Sequence, residues 1–479
     1  MIRGAMNTLI IRAILCTCLG LVPLGCRAGL SPVMEAGDAC WLLEPPSSRG
    51  GPDLLVVALL DSLDGSHAPL ATNPTEGMVF SQIYETLVSL DCTGQTVPGL
   101  ARSWSVDGDG VHWVFVLRDR ARFGDGTRLD AGSVVSAWEA ARLRAPRTPP
   151  AEPPWPGAFH RAPWSILRAG AAWGGGDTLR VTLMAPVAAD GRFFSDPSLA
   201  VTKSSRPGLP PLGSGPFRWA PDGRPELVPN PSHPEPAVSV LALRLHPGGD
   251  PRVALSAGAD IALVRNREAI AYAGGTNSHA SIPLPWDRRY VVWVRAGTRV
   301  PEADRVALAE DLVGSVAASE ARVAPSWPYP GCKGRPPAGG TDSGPLGDVT
   351  IRYLSKDRDA EAIAARLAAL ANAEAPLPWL APFRGTRVRA ISSRDLDRIL
   401  EAGALDGIVI APHGLLPDPC PGDQPPPGGS PAAAAPPAVN LIPLMDTRAH
   451  LVIRRTVGGV AIDGAGAILL ARAVRGPAS

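Results

Sequence analysis

The sequence has 479 residues, of which 45% are hydrophobic, and its 46 basic side chains nearly balance its 45 acidic ones. This length exceeds that of one compact core, so two or three domains are expected. Because the charges balance, the composition does not predict a surface that binds nucleic acid. The 51 glycines and 53 prolines exceed average usage, but the apolar content predicts a folded chain with long loops.

Residues 1–26 are predicted to be an export signal. Two arginines precede an uncharged run over residues 13–25 that is too short to span a bilayer comfortably. The run ends at Leu24-Gly25-Cys26, which resembles a bacterial lipobox, although Pro23 stands where leucine is usual. We predict that Cys26 is lipidated and anchors the chain to the membrane. Ordinary cleavage near Ala28 is the alternative, and either event takes the chain out of the cytoplasm.

Residues 27–53 are rich in proline, glycine and serine toward their end, and are predicted to be a tether. If Cys26 carries lipid, an even number of cysteines remains, which permits disulfides in three possible pairings of Cys40, Cys92, Cys332 and Cys420. We expect one bridge or none. The sequence has no Cys-x-x-Cys pattern and no cluster of cysteine and histidine, so no metal site is predicted.

The most informative stretch runs from Phe80 to Ala140. Apolar spacing over Phe80–Leu90 predicts a helix, and alternation over Val111–Leu117 predicts a strand. Asp130 is placed to cap a helix that begins at Ala131. Turns rich in glycine and aspartate separate these elements.

The order of these pieces resembles the signature of extracellular solute-binding protein family 5, the dipeptide- and oligopeptide-binding proteins of ABC importers. The matching motifs are Tyr84-Glu85-Thr86-Leu87, Pro98 to Trp104, Asp109-Gly110, Trp113 to Arg118, and Phe123 to Thr127. A further match lies at residues 212–219, where two glycines around a hydroxyl residue precede proline and predict a tight turn into a strand. No lysine follows these glycines, which excludes a phosphate-binding loop.

The resemblance implies a bilobal α/β fold like that of periplasmic binding proteins (type II, cluster C), whose lobes close over a ligand by hinge motion. Lobe I is expected over residues 54–80, 176–265 and 440–479, with a subdomain at 81–175. Lobe II is expected over residues 266–439.

Residues 349–412 show a β-α-β-α-β pattern, which predicts parallel strands with right-handed crossovers. Ligands of such sheets lie beyond the carboxyl ends of the strands, and this places residues 411–419 at the mouth of a site. His413 and Asp418 are the candidate ligand contacts there. The alternative is a surface loop ended by prolines.

Other candidate ligand contacts rest on the resemblance. Leu54–Leu60 is a continuous apolar run, as expected of a strand buried on both faces. In the family the segment after the first strand reaches the cleft, which nominates Asp61, Ser62 and Leu63. Asp61 would otherwise only end the strand. Trp327 and Tyr329 lie in a loop of prolines and aromatics like one near the family's cleft, where they would either stack on a ligand or pack the loop.

The sequence contains no Gly-x-Ser-x-Gly, His-Glu-x-x-His or Walker motif, so no enzyme and no cofactor are predicted. We predict an extracytoplasmic solute-binding protein that captures a small solute, with a peptide as the leading candidate, and delivers it to an ABC transporter permease. The alternative is a surface lipoprotein that uses the same fold as a sensor or scaffold without transport. An exported hydrolase would need a nucleophile beside a base, and the sequence shows none.

Overall fold

The structure is a computed structural model of the chain. It describes residues 41–45, 54–71, 73–144, 167, 172–206, 208–246, 250–295, 300–324, 350–355, 357–392, 395–396, 399, 407–412, 439–464 and 466–476. No helix in these ranges is both long enough and apolar enough to cross a bilayer.

The helices are short and lie between strands. They are α1 (Pro74–Phe80), α2 (Ala131–Arg144), α3 (Pro251–Ser256), α4 (Arg267–Gly274), α5 (Glu302–Asp311) and α6 (Arg358–Ala371). A π-helical turn, Leu312–Val316, continues α5. Single 3₁₀ turns are Gly65–His67, Arg192–Ser195, Pro197–Leu199 and Ala381–Phe383.

The strands of the first half of the chain are β1 (Trp41–Leu43), β2 (Leu54–Leu59), β3 (Val88–Leu90), β4 (Thr96–Pro98), β5 (Ala101–Val106), β6 (His112–Leu117), β7 (Ala172–Gly175), β8 (Thr178–Thr182), β9 (Phe217–Trp219), β10 (Glu226–Pro229) and β11 (Val240–Leu245). Those of the second half are β12 (Ile261–Val264), β13 (His279–Pro283), β14 (Arg288–Arg295), β15 (Glu320–Val323), β16 (Thr350–Leu354), β17 (Arg387–Ile391), β18 (Gly407–Pro412), β19 (Val439–Arg448), β20 (His450–Arg454), β21 (Val457–Gly458), β22 (Val460–Ile462), β23 (Ile468–Leu469) and β24 (Val474–Arg475).

Lobe I is built on a seven-stranded sheet in the order β13-β20-β12-β2-β11-β10-β9. Strand β2 lies parallel to β11 on one side and to β12 on the other. The core on one face includes residues of α1 and the carboxyl-terminal strands, and the core on the other includes residues of α3 and α4. Because both faces are covered, β2 has the continuous apolar sequence that predicted a buried strand.

Lobe II is built on a six-stranded sheet in the order β15-β19-β14-β18-β16-β17. Strand β16 pairs in parallel with both β17 and β18, which confirms the parallel pairing predicted from the β-α-β pattern. Helix α6 packs Ile363 and Leu367 into a core with Tyr290 and Val292 of β14. Together the two sheets and their helices form the bilobal α/β fold that the sequence predicted.

A third sheet, in the order β5-β6-β8-β7, packs with α2 into a separate core. Phe194 lies at the centre of this core, with ring centroids 5.1 Å from Trp113 and 4.6 Å from Phe115. The predicted cap of α2 is present, since the Asp130 carboxylate accepts a hydrogen bond from the Ser133 N–H at 2.9 Å.

The helix predicted over Phe80–Leu90 is wrong. Helix α1 begins earlier, after Asn73, whose side chain accepts from the Glu76 N–H, and it ends at Phe80. Ile83 packs in the core of lobe I, whereas Leu87 packs in the core of the third sheet. The apolar spacing therefore marks a segment that crosses from one core to the other, not one face of a helix.

The two lobes are joined by two neighbouring strand connections. Strands β13 and β14 follow one another through residues 284–287, and β19 leads into β20 through Ala449. Strand β13 pairs with β20 in lobe I, and β14 pairs with β19 in lobe II. We call residues 284–287 and Ala449 the hinge.

The sheets divide the chain at the hinge and not at residues 266 and 440, where the sequence placed the lobe boundaries. Helix α4 and strand β13 belong with lobe I, and most of β19 belongs with lobe II. Strand β19 continues into β20 with a break only at Ala449, so no glycine or proline signals that crossing.

Two carboxylates tie distant segments together. Glu85, in the Tyr84–Leu87 motif, accepts two hydrogen bonds of 2.7 Å from the Arg118 guanidinium, and His233 Nε2 lies 3.4 Å away. Burial raises the pKa of Glu85, but the hydrogen bond from His233 and the charge of Arg118 outweigh it and lower that pKa to about 2. The motif residues thus form an ion pair between the α1–β3 connection and the end of β6.

The second carboxylate, Asp260, is fully buried. It accepts hydrogen bonds from the Val56 N–H at 2.9 Å, from Arg454 Nε at 2.7 Å and from Arg475 Nη2 at 2.6 Å. These contacts join β2, β20 and β24 at one point.

Candidate functional site

The carboxyl ends of the parallel strands of both sheets lie beside the hinge. In lobe I, β2 and β12 are parallel and end before Leu60 and Arg265. In lobe II, β18 ends at Pro412, which is paired with Tyr290 near the start of β14. Because sites in α/β sheets form beyond such ends, this is the expected position of a ligand cleft.

The loop after β2 is fixed against the start of α1. The Asp61 N–H donates to Thr75 Oγ1 at 3.2 Å, and Asn73 Nδ2 donates to the Ser62 carbonyl at 2.9 Å. Asp61 and Ser62 are exposed, whereas Leu63 is half-buried and packs on the core of lobe I. The structure therefore brings these three candidate residues together at the carboxyl end of β2.

A buried carboxylate supports the same loop. Glu76 is fully buried, accepts from the Asp64 N–H at 3.1 Å and lies 2.8 Å from His67 Nδ1. Hydrogen bonds from Ser66 lower the pKa of Asp64, which keeps that exposed carboxylate ionised. The loop thus presents carboxylates on a backbone that helix α1 holds in place.

A pocket opens between α1, the end of β12 and the hinge. It encloses about 460 Å³ of space that is partly open to solvent. We call it the hinge pocket, and its lining residues are Pro74, Met78, Leu263, Arg265, Leu284, Pro285, Asp287, Ala449, Gly466 and Ile468.

The hinge pocket contains one ion pair. Arg265 contacts Asp287 through both of its terminal nitrogens, and the Nη1–Oδ1 distance is 3.0 Å. Their side chains are 20% and 12% exposed. This pair connects the end of β12 to the hinge segment that enters lobe II.

A second charged group lies on the lobe II side of the hinge. Asp446 accepts from Arg289 at 2.7 and 3.0 Å and from Arg322 at 3.1 Å, across three neighbouring strands. The ring of Trp286 lies between Arg322 and Arg448, and each guanidinium is 4.5 Å from the ring centroid. The hinge tryptophan is therefore held by two cation–π contacts.

His450 links the two lobes across the hinge. Its Nδ1 lies 2.8 Å from Ser281 Oγ in lobe I, and its Nε2 contacts Glu320 in lobe II. The pKa of Glu320 is lowered, mainly by a hydrogen bond from Arg448 and also by one from His450. Burial acts in the opposite direction but is outweighed.

The start of α6 is also tied to lobe I. Asp359 accepts from the Ala318 N–H at 2.8 Å and from Ser319 Oγ at 2.6 Å. The Ala318 carbonyl in turn accepts from the Arg267 N–H of lobe I at 2.9 Å. These hydrogen bonds connect the segment after β12 to the start of α6.

Several predicted residues fall outside the described part of the chain: Cys26, Trp327, Tyr329, His413 and Asp418. Cys92, in the turn between β3 and β4, is disulfide-bonded. Within the described ranges no three histidine, cysteine or acidic side chains are grouped as metal ligands.

Sequence reasoning missed Arg265 and Asp287. Arg265 directly follows the apolar strand Ile261–Val264, so the rule that placed a site after β18 also applies to it. Asp287 carried no comparable signal, because its role depends on the chain crossing between lobes at that point.

Comparison with known proteins agrees with this architecture. Residues 95–273 match the model of bacterial extracellular solute-binding proteins, family 5 Middle. Over these residues the chain is similar to extracellular solute-binding protein family 5. The match covers the third sheet and much of lobe I, and it includes the recognised motifs from Pro98 onward.

Individual curated proteins match this chain by sequence over short segments. It is 35% identical over 72 residues to the nickel-binding periplasmic protein of Escherichia coli, which is 15% of this chain and 14% of that protein. It is 37% identical over 73 residues to the periplasmic murein peptide-binding protein MppA of Escherichia coli, which is 15% of this chain and 13% of MppA. The chain thus spans about one seventh of the length of the curated relatives that it matches.

The fold similarity is broader. The solved structure of the Escherichia coli murein tripeptide binding protein MppA aligns with 89% of this chain and 99% of its own, with a TM-score of 0.59 and 15% identity. At that identity the similarity establishes the fold of this chain and nothing further.

Proposed function

We propose that the chain is an extracytoplasmic solute-binding protein that captures a small solute between its lobes and delivers it to the permease of an ABC importer. The observation that carries this proposal is the hinge pocket, which opens where the carboxyl ends of the lobe I strands meet the crossing strands. The family assignment supports the class of function, and the relatives named above are binding proteins.

A peptide is the solute that we propose first. MppA, whose structure shares the fold, is a murein tripeptide binding protein, while another relative is a nickel-binding protein. No metal-ligand group occurs among the described residues, which gives no support to a bare metal ion there.

Native mass spectrometry of the purified protein tests this proposal. We expect a discrete small-molecule adduct that leaves on partial unfolding and returns when a peptide pool is added to the refolded protein. A bare mass that stays unchanged with peptide and sugar pools would contradict solute capture and would favour a sensor or scaffold with the same fold.

Delivery to a permease is a separate claim. In a strain that lacks this chain, uptake of a labelled form of the identified solute should fall and should return with the intact gene. Uptake that is independent of the chain, despite binding in vitro, would indicate the sensor or scaffold function.

We further propose export with a lipid anchor on Cys26. The Cys26→Ser variant should move from the membrane fraction to the soluble exported fraction, whereas Cys92→Ser should leave the partition unchanged. Membrane association that persists in Cys26→Ser would exclude this anchor.

A further inference from the structure

The turn between β3 and β4 carries a bonded cysteine. Cys92 is exposed in this turn and takes part in a disulfide. The Asp91 carboxylate gives the turn a defined shape, because its Oδ1 accepts from the Thr93 N–H and from the Gln95 N–H, each at 2.9 Å. The partner cysteine must lie close to this turn, since the two Cα atoms of a disulfide are about 4.4–6.8 Å apart.

The carboxyl-terminal segment packs against the same turn. Gly464 lies in the connection from β22 to β23. A side-chain carbon on Gly464 would clash with the Asp91 carbonyl oxygen and would lie 2.7 Å from Gly94 Cα. Gln82 Nε2 also donates to the Ile468 carbonyl of β23 at 2.7 Å, which holds this segment against the chain that leads to β3. The end of β22 is therefore in contact with residues on both sides of Cys92.

Strand β1 brings the amino-terminal part of the chain to this place. It pairs antiparallel with β22, and Trp41 lies opposite Ala461. In an antiparallel pair, one step back along β1 corresponds to one step forward along β22, toward Ile462 and the contact with the turn. Cys40 lies outside the described residues, but its peptide bond keeps its Cα about 3.8 Å from that of Trp41.

We propose that Cys40 is the disulfide partner of Cys92. The other candidates in the exported chain are Cys332, between β15 and β16, and Cys420, between β18 and β19, and all four of these strands belong to the sheet of lobe II. Cys40, in contrast, is one residue from a strand whose neighbour contacts the turn of Cys92. The bridge joins β1 covalently to that turn, so the predicted tether meets the folded body at residue 40 and not at residue 53.

The bond forms by thiol–disulfide exchange with an exported carrier protein that holds a disulfide. The thiolate of one cysteine attacks a carrier sulfur, and a mixed disulfide forms as the other carrier sulfur leaves. The thiolate of the second cysteine then attacks the mixed disulfide and releases the carrier as a dithiol. The two protein thiols lose two protons and two electrons, which the carrier receives. Export, which we propose above, takes the chain to a compartment where such bonds persist.

Peptide mapping of the exported protein under non-reducing conditions tests the pairing. Free thiols are alkylated before unfolding, and trypsin then cuts after Arg49, between the two cysteines, to give peptides 28–49 and 50–102. We expect these two peptides as a disulfide-linked pair that separates on reduction. A link from Cys92 to the peptide of Cys332 or of Cys420, or recovery of alkylated Cys92, would overturn the inference.

Single substitutions provide matched variants. Cys40→Ser should abolish the linked pair and make Cys92 available for alkylation, whereas Cys332→Ser should leave the pair unchanged. A disulfide of Cys92 that persists in Cys40→Ser would contradict the pairing. Peptide mapping of the unmodified protein decides the question if the Cys40→Ser variant does not fold.

Thermal melting gives a second readout. Dithiothreitol should lower the melting temperature of the unmodified protein by roughly 3 °C, because the bridge no longer constrains the unfolded chain, and should not lower that of Cys40→Ser. An equal decrease in both would count against the bridge. Failure of the proposed export is distinguishable, because a linked pair that forms in purified, reduced protein with oxidised glutathione supports the pairing wherever the cell keeps the protein.

Discussion

At Glu85 a single carboxylate joins two segments that are adjacent in space but 33 residues apart in sequence. Glu85 and Arg118 are only 18% and 19% exposed, so each would be left largely desolvated without the other. This explains in physical terms why a glutamate in the first motif accompanies an arginine at the end of the aromatic strand.

Glu85→Gln should lower the free energy of unfolding by about 3 kcal/mol at pH 7, because Arg118 loses its charge partner. Asp119→Asn, which breaks the exposed pair with Arg102, is the control and should cost less than about 1 kcal/mol. Urea unfolding measures both. Equal losses of unfolding free energy in the two variants would contradict a stabilising role for the ion pair of Glu85 with Arg118.

The ion pair of Glu85 with Arg118 also makes the stability of the folded protein depend on pH. The pKa of Glu85 is about 2 in the folded protein and near 4.5 in the unfolded chain, so its stabilisation is complete above the unfolded value. That stabilisation should fade as the pH falls from about 5 to 2. The stability difference between the wild type and Glu85→Gln, followed by urea unfolding across this range, should shrink accordingly.

The pKa of Asp196 is shifted in the opposite direction to that of Glu85. Burial raises its pKa to about 6, although hydrogen bonds from Ser198 partly oppose that shift. The folded state is therefore favoured most below the unfolded pKa of 3.8, and this advantage disappears as the pH rises through 6. Asp196→Asn, which keeps the 2.8 Å cap on the Ser198 N–H, should raise the melting temperature at pH 7 and not at pH 3. A gain that is equal at both pH values would exclude this explanation.

At the scale of elements, Asp260 holds β2, β20 and β24 together. Asp260→Asn should destabilise the protein by about 3–5 kcal/mol, since two arginines lose their charge partner in a buried position. Asp250→Asn is a matched control, because Asp250 caps α3 from an exposed position and asparagine caps a helix equally well. Chemical unfolding distinguishes them, and a loss below 1 kcal/mol for Asp260→Asn would contradict its role.

Elements with a strong periodic pattern could be predicted from sequence, and the hinge could not. Strand β6 and the parallel pairing of β16 with β18 followed from alternation and connection length. The helix predicted after Phe80 failed because Ile83 and Leu87 are buried in different cores, which local spacing cannot show. Asp61 was predicted from the end of β2 and stays a prediction, but Asp287 acquires its partner only through the long-range pairing of β13 with β20.

At the scale of the whole molecule, two crossing connections join the lobes within the described residues, together with polar contacts such as those of His450. Such an arrangement permits hinge closure around a ligand. Saturation with the solute that native mass spectrometry identifies should therefore lower the radius of gyration measured by small-angle X-ray scattering. A saturated wild-type protein with an unchanged radius would exclude closure.

The tryptophan at the hinge supplies a spectroscopic signal of this movement. Trp286 lies between the guanidiniums of Arg322 and Arg448, which follow lobe II, while its own backbone belongs to the connection from lobe I. Rotation of the lobes changes the distance of the charges from the indole and hence its emission. Eleven other tryptophans contribute to the fluorescence of the 12-tryptophan chain, so subtraction of the Trp286→Phe spectrum isolates this one. The protein thus carries an internal optical probe that reports the position of its lobes without any added label.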